Sequence, residues 1–170
     1  RGVILADEQI PYHINLEPIT RFLADFKPHY LHRLGDMLDM TALQGWHHKK
    51  PQDIDWDSVR SEIKIANRML NLQDKVARAK VKHFSFGNHE ERLALFREQH
   101  REYWRRNFST MPYLMRDLGL KGRGYITHGQ NDLYSVGKLH FFHGHDYSTH
   151  HARKNLADLE CNVVYGHVHS

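Results

Sequence analysis

Five short apolar runs, each ending in a polar cluster, constrain this chain more than any other feature. Val3-Ile4-Leu5-Ala6 runs into Asp7, His29-Tyr30-Leu31-His32-Arg33-Leu34 into Gly35-Asp36, and Val81-Lys82-His83-Phe84-Ser85-Phe86 into Gly87-Asn88-His89-Glu90. Leu139-His140-Phe141-Phe142 runs into His143-Gly144-His145-Asp146, and Val163-Val164-Tyr165 into Gly166-His167-Val168-His169. Runs this short, rich in β-branched and aromatic residues, predict strands. Between them the apolar spacing turns helical. Residues 17–26 carry Ile19, Phe22, Leu23 and Phe26, with Pro28 just beyond. Residues 58–79 form the longest periodic stretch, with Asp57 or Ser58 placed to cap it and Glu62 placed for a contact near its first turn. Residues 90–108 repeat Leu93, Phe96, His100, Tyr103 and Trp104, and residues 148–159 predict a fourth helix. The glycine-rich stretch 119–129 reads as a loop or hairpin.

Strands alternating with helices predict an α/β domain, and in such sheets ligands bind beyond the carboxyl ends of the strands. The five polar tips are therefore expected to meet along one edge. The 170 residues suffice for one domain with its own core, and residues 1–170 are read as a single domain. The chain starts directly on an apolar run and stops directly after a polar tip, so it is expected to be part of a longer chain, incomplete at its ends.

No apolar run approaches the roughly 18 residues that a membrane span requires, so no membrane partner is expected. Cys161 is the single cysteine, which rules out an internal disulfide and suits a reducing, cytoplasmic setting. The formal charge of +4 favours anionic partners, nucleic acid among them. Sixteen histidines are many for this length. His13, His29, His32, His47, His48 and His100 are read as surface residues or compositional drift. Those following an apolar run differ, because a Gly-His-x-His bend offers two neutral nitrogen ligands from one rigid turn.

In order, the tips read Asp7-x-Gln9, Gly35-Asp36-x-x-Asp39, Gly87-Asn88-His89-Glu90, His143-Gly144-His145 and Gly166-His167-x-His169. This series resembles the calcineurin-like metallophosphoesterase superfamily, whose ordered blocks are D-x-H, G-D-x-x-D, G-N-H-E, a His before Gly, and G-H-x-H. Four blocks fit and the first departs. The Asp-Glu-Gln-Ile-Pro-Tyr-His start and the short length look like small bacterial or phage members, for which the compartment would be the bacterial or host cytoplasm. The resemblance implies an α/β fold with a four-layer αββα sandwich of two mixed sheets flanked by helices. It implies two divalent transition-metal ions, Mn favoured, with Fe, Zn, Ni, Co or Mg as alternatives, and hydrolysis by a metal-bridging hydroxide.

By the same resemblance Asp36 bridges the two metals. Asp7, Gln9 and His169 complete one site; Asn88, His143 and His167 complete the other. His89 is the residue that contacts the phosphate and protonates the leaving oxygen. Gln9 stands where the family usually has His, so it either ligates through its carbonyl oxygen, weakening that site, or leaves the position to water. Asp39 is read as a structural hydrogen-bonding residue and Glu90 as a support behind the ligands or a helix-start residue. His145 is a supporting residue, a phosphate contact or an alternative ligand to His143, with His143 preferred because it directly precedes Gly144.

The substrate is less constrained than the chemistry. Phe86 stands where the protein serine/threonine phosphatase branch carries Arg, which argues against that branch. Arg97, Arg101 and Arg105 recur at helical spacing, with Arg106, Tyr103 and Trp104 beside them, and could follow a phosphate backbone. The favoured expectation is a phosphodiesterase or nuclease acting on nucleic acid. A nucleotide or small-molecule phosphatase is the alternative, and a non-catalytic interaction scaffold is a third reading.

Overall fold

The computed structural model describes residues 1–12, 15–107 and 109–168. It is a mixed α/β structure with two sheets. The first contains β1 (Gly2–Leu5), β2 (Tyr30–Leu34), β3 (Val81–Ser85) and β4 (Tyr125–His128), in that spatial order and parallel throughout. The second is mixed: β5 (Tyr134–Val136) pairs antiparallel with β6 (Leu139–Phe142), which pairs parallel with β7 (Val163–Tyr165). All five expected strands are present. The expectation of two mixed sheets fails for the first, because helical crossovers join its strands and crossovers make neighbours parallel.

Helix α1 (Glu17–Phe26) matches its expected range. Helix α2 (Trp56–Ala77) begins two residues early, because Asp55 is its cap: the Asp55 carboxylate accepts from the amides of Asp57 at 3.2 Å and Ser58 at 3.0 Å. Glu62 makes no local cap. It is buried, and its carboxylate accepts the Met40 amide at 2.8 Å. The long helix expected at 90–108 divides into α3 (Asn88–Gln99) and α4 (Arg101–Arg106). His100 stands between them with φ −117° and ψ 43°, and its Nε2 donates to the Lys49 carbonyl at 3.2 Å. Two shorter helical segments follow, α5 (Leu114–Asp117) and α6 (His151–Leu159).

Strand β4 takes up the end of the stretch 119–129 expected to be a loop or hairpin, and β5, further on, was not expected. The glycine-rich part, to Gly124, is turn, and β4 then pairs with β3. Tyr125 holds β4 down, since its buried hydroxyl accepts from Arg33 Nε at 3.2 Å and donates to Asp74 at 2.8 Å. The hairpin lies further on, where Gly137-Lys138 turns β5 into β6 with Val136 opposite Leu139. Gly137 supplies the positive φ, 65°, that such a two-residue turn requires.

The faces of the parallel sheet bury different chemistry. On one side Val3, Leu31 and Phe84 pack with Leu23, Leu70 and Ala77 of α1 and α2. Arg33 is fully buried there, bonded to Glu8 at 2.8 Å and to Gln73. On the other side His32, His83 and His128 stack across β2, β3 and β4, at centroid spacings of 5.1 and 5.2 Å. Adjacent strands lie about 4.8 Å apart, so aligned rings must stack near that distance. Tyr134 and Phe141 of the second sheet close over this stack, with Tyr134 3.9 Å from His128 and Phe141 4.4 Å from His32. His32 is only 3% exposed and joins the two sheets, which corrects its reading as a surface residue. Among the described residues no helix is long and apolar enough to cross a membrane.

Candidate metal centre

The strand ends converge as the alternation predicted. β1 leads to Asp7, β2 to Asp36, β3 to Asn88 at the first turn of α3, β6 to His143 and β7 to His167. Backbone hydrogen bonds fasten adjacent tips: Asp7 N donates to Gly35 O at 3.0 Å, Gln9 N to Asp36 O at 2.9 Å, and Gly166 N to His143 O at 2.9 Å. Asp7, Gln9, Asp36 and His167 all take positive φ, 55°, 45°, 50° and 70°. Non-glycine residues seldom do so, and such strain concentrates at functional sites.

Two glycines allow this crowding. A Cβ on Gly35 would lie 2.6 Å from both Gly87 N and His143 Nδ1, and Gly35 has φ 86°. A Cβ on Gly87 would collide with the Asp36 carboxylate and amide. The glycines before Asp36 and Asn88 thus let two strand ends and a histidine ring share one space.

Asp36, His143 and His167 form the one cluster of three metal-type ligands found among the described residues, with candidate donor atoms within 4.8 Å of one another. Asn88 adds a fourth donor: its Oδ1 lies 3.0 Å from His143 Nε2 and 2.8 Å from His167 Nδ1. The His143 tautomer follows from its other nitrogen. Nδ1 lies 2.5 Å from the Leu34 carbonyl, which only accepts, so Nδ1 carries a proton. In the neutral ring, Nε2 then turns a bare lone pair toward Asp36 Oδ2 at 3.3 Å and Asn88 Oδ1 at 3.0 Å. Acceptors face acceptors unless a proton or a cation lies among them. With two imidazoles, a carboxylate and a carbonyl oxygen converging, the donor set fits a divalent transition metal.

The same geometry sets the protonation equilibria. Burial works against charge on His143, but the Asp36 carboxylate and the Leu34 carbonyl outweigh it and raise its pKa. Burial likewise opposes ionisation of Asp36, but His143 and the His89 amide, 3.0 Å from Oδ1, hold its pKa below the ordinary carboxylate range. Glu90 lies behind them, 1% exposed. Its Oε2 accepts the amides of Asp36 at 2.9 Å and Gly87 at 2.8 Å, and its Oε1 accepts that of Leu38 at 2.9 Å. One side chain therefore clasps the β2 tip to the β3 tip. Burial first, and then the charge on Asp36, push its pKa up to about 7.

His89 lies at the rim, its Nδ1 donating to the Asp39 carbonyl at 2.8 Å with Asp39 Oδ1 at 3.4 Å. This directs Nε2 inward, 3.8 Å from Asp36 Oδ2. The Asp39 carbonyl also accepts from Arg92 at 3.0 Å. The Asp7 carboxylate accepts the His167 amide, 3.1 and 3.0 Å from its two oxygens. Gln9 reaches the site by its backbone bond to Asp36. His143 is fully buried in the cluster, whereas His145 is exposed against Phe142. His169 and His13 lie outside the described residues.

The arginine stripe is altered by the break at His100. Arg101 pairs with Glu98, and Arg105 with Glu102 at 3.0 Å, while Arg97 stands over the Tyr113 ring at 5.0 Å and Arg106 is exposed. Sequence reading placed Glu98 and Glu102 in the same helix without weighing the charge they cancel. It also missed the buried Arg33–Glu8 pair; an Arg inside an apolar strand was the available signal, since such a charge needs a buried partner. No protein-family model matches this chain, and no curated protein or solved structure is detectably similar to it, so the resemblance rests on the site residues themselves.

Proposed function

We propose that the protein is a metal-dependent phosphoesterase of the calcineurin-like type, most active on phosphodiesters of nucleic acid. The observation that carries this reading is the meeting of Asp36, Asn88, His143 and His167, whose donor atoms face one another with His89 alongside. The helix-covered parallel sheet packed on a second sheet supports the four-layer αββα arrangement. We read the centre as dinuclear: Asp36, Asp7, Gln9 and His169 would hold one ion, and Asp36, Asn88, His143 and His167 the other. Mn suits this mixed nitrogen and oxygen set.

Divalent ions held there would supply an activated water and neutralise charge on the phosphoryl group. The chain's own residues do the rest. His89 Nε2 faces the cluster from its rim; as the imidazolium, with Nδ1–H held by Asp39, it donates the Nε2 proton to the departing oxygen and is left as the neutral ring protonated on Nδ1. Glu90 holds the Asp36 and Gly87 amides in place without touching the substrate. Asn88 ligates without adding negative charge, so the site stays attractive to an anionic phosphate.

Nucleic acid is favoured by basic groups beside α3 and α4. The His47–Lys50 turn packs there through the His47 and Lys49 carbonyls, which meet Gln99 and His100, and leaves His47, His48 and Lys50 exposed. A second reading, a nucleotide phosphatase, is favoured by the glutamates that pair with Arg101 and Arg105. Salt separates them: polymer binding weakens steeply with rising salt, and small-substrate binding changes little. The only cysteine, Cys161, supports a cytoplasmic setting. Hydrolysis of bis-p-nitrophenyl phosphate with added Mn, in wild type and His89→Ala, tests the reading; a diesterase rate unaffected by the substitution contradicts it.

A further inference from the structure

A small pocket of about 170 Å³ opens along α3, the helix that begins at Asn88, between it and the segment leading into α5. It is built on the same turn of chain as the site: Phe86 lies two residues before Asn88, and Glu91 three residues after it. Ala94, on its wall, is six residues beyond Asn88, about 9 Å along the helix axis. One water needs only about 10–15 Å³ of such space, so the pocket holds a group of several heavy atoms. Phe86, Leu93, Pro112 and Met115 make its lining largely apolar.

The polar groups in that lining narrow the ligand. Trp104 is 3% exposed, and its Nε1–H has no acceptor among the described residues. A buried donor without an acceptor is costly, and a ligand carrying an acceptor on its edge relieves that cost. Glu91 offers a half-buried carboxylate on the same wall, which suits a ligand donor. Arg97, Trp104 and Tyr113 line both this pocket and a wider open groove of about 580 Å³ that also contains Arg101 and Arg105. A flat ring with both an acceptor and a donor on its edge, attached to a phosphate-bearing chain, matches all of these features.

We infer that this pocket is a nucleobase subsite, receiving a base of the substrate whose phosphate lies at the metal centre. The inference rests on the phosphoesterase reading for its second half, the position of the phosphate. Base recognition itself requires only the pocket. The ring lies against the carbon walls, its acceptor meets the Trp104 N–H, and the Arg97 guanidinium at the entrance faces the sugar-phosphate side.

The test follows the Trp104 indole N–H by ¹⁵N–¹H spectroscopy, where the chain's three tryptophans give three separate indole signals. Nucleosides without phosphate, adenosine, guanosine, cytidine and uridine, are titrated into full-length protein in EDTA. The Trp104 signal is expected to shift saturably with at least one nucleoside while the Trp46 signal stays still. Ala94→Leu, at an exposed helical position that a larger side chain tolerates, is expected to fill the pocket and remove the response without changing Mn affinity. No shift with any nucleoside, an equal shift with toluene, or a full response in Ala94→Leu would each overturn the subsite. His89-dependent hydrolysis without a nucleoside response sinks the subsite and leaves the phosphoesterase reading intact. A response without hydrolysis of any phosphoester supports the subsite and sinks that reading.

Discussion

His143 Nε2 stands 3.3 Å from Asp36 Oδ2, with the opposite ring nitrogen already committed to the Leu34 carbonyl. The β6 and β2 ends therefore meet through a nitrogen and an oxygen that need a shared positive charge. Removing either partner should weaken cation binding more than folding. His143→Ala and Asp36→Asn are each expected to lower Mn affinity by a factor of about 100 or more, given that losing even a supporting partner typically costs 10–100-fold. Isothermal titration with Mn reads this directly. In wild type, Mn at 100 times its dissociation constant should add about 2.7 kcal/mol of stability, and the variants should lose that gain.

Glu90 is expected to matter through the backbone. Glu90→Ala strands three buried amides, those of Asp36, Leu38 and Gly87, at about 1–3 kcal/mol each. Denaturant unfolding should show a loss of several kcal/mol, with Glu90→Gln in between because its amide oxygen still accepts. Equal stability of Glu90→Ala and wild type would show that the clasp is not what joins the two tips.

Gly87→Ala tests the close approach more narrowly. The added methyl collides with the Asp36 carboxylate, so the carboxylate must turn or the strand end must retreat. Mn affinity should fall at least tenfold, by titration, in protein that retains its far-ultraviolet circular dichroism.

The stacked histidines give the fold an acid sensitivity of defined sign. Burial, then the neighbouring His83 and His128, lower the His32 pKa from 6.5 to about 4, and burial lowers those of His83 and His128 too. At His32 the unfolded chain binds a proton near pH 6.5 that the folded chain refuses until about pH 4, so this contribution to stability is fully present above pH 6.5 and drains away as pH falls toward 4; His83 and His128 act in the same direction. His32→Phe keeps a ring between Phe141 and His83 but cannot titrate. Its melting temperature should fall less steeply across this window, measured in EDTA to remove any contribution from metal.

Much of this architecture was legible because two periodicities alternate. The five strand-like runs fixed where the chain is extended, and polar residues at their ends fixed where the tips would meet. Asp36, Asn88, His143 and His167 were readable because a polar residue at a strand end sits in a short local pattern. Strands β4 and β5 were not, since Tyr-Ile-Thr-His and Tyr-Ser-Val are too short to show a period. The Glu90 clasp joins residues 52 and 54 positions apart, and Glu62 reaches 22 positions to Met40. Partners that distant leave no mark in local spacing. His32 misled for the opposite reason, because its burial comes from Phe141 and Tyr134 on a sheet formed much later in the chain.

The most direct measurement compares bis-p-nitrophenyl phosphate with p-nitrophenyl phosphate in the presence of Mn, for wild type and His89→Ala. The account predicts faster hydrolysis of the diester by wild type and a fall of about 10²–10⁴-fold in kcat when the proton donor is removed, with Mn binding retained. Diester hydrolysis at the wild-type rate in His89→Ala, or no Mn-dependent hydrolysis by wild type, would contradict it.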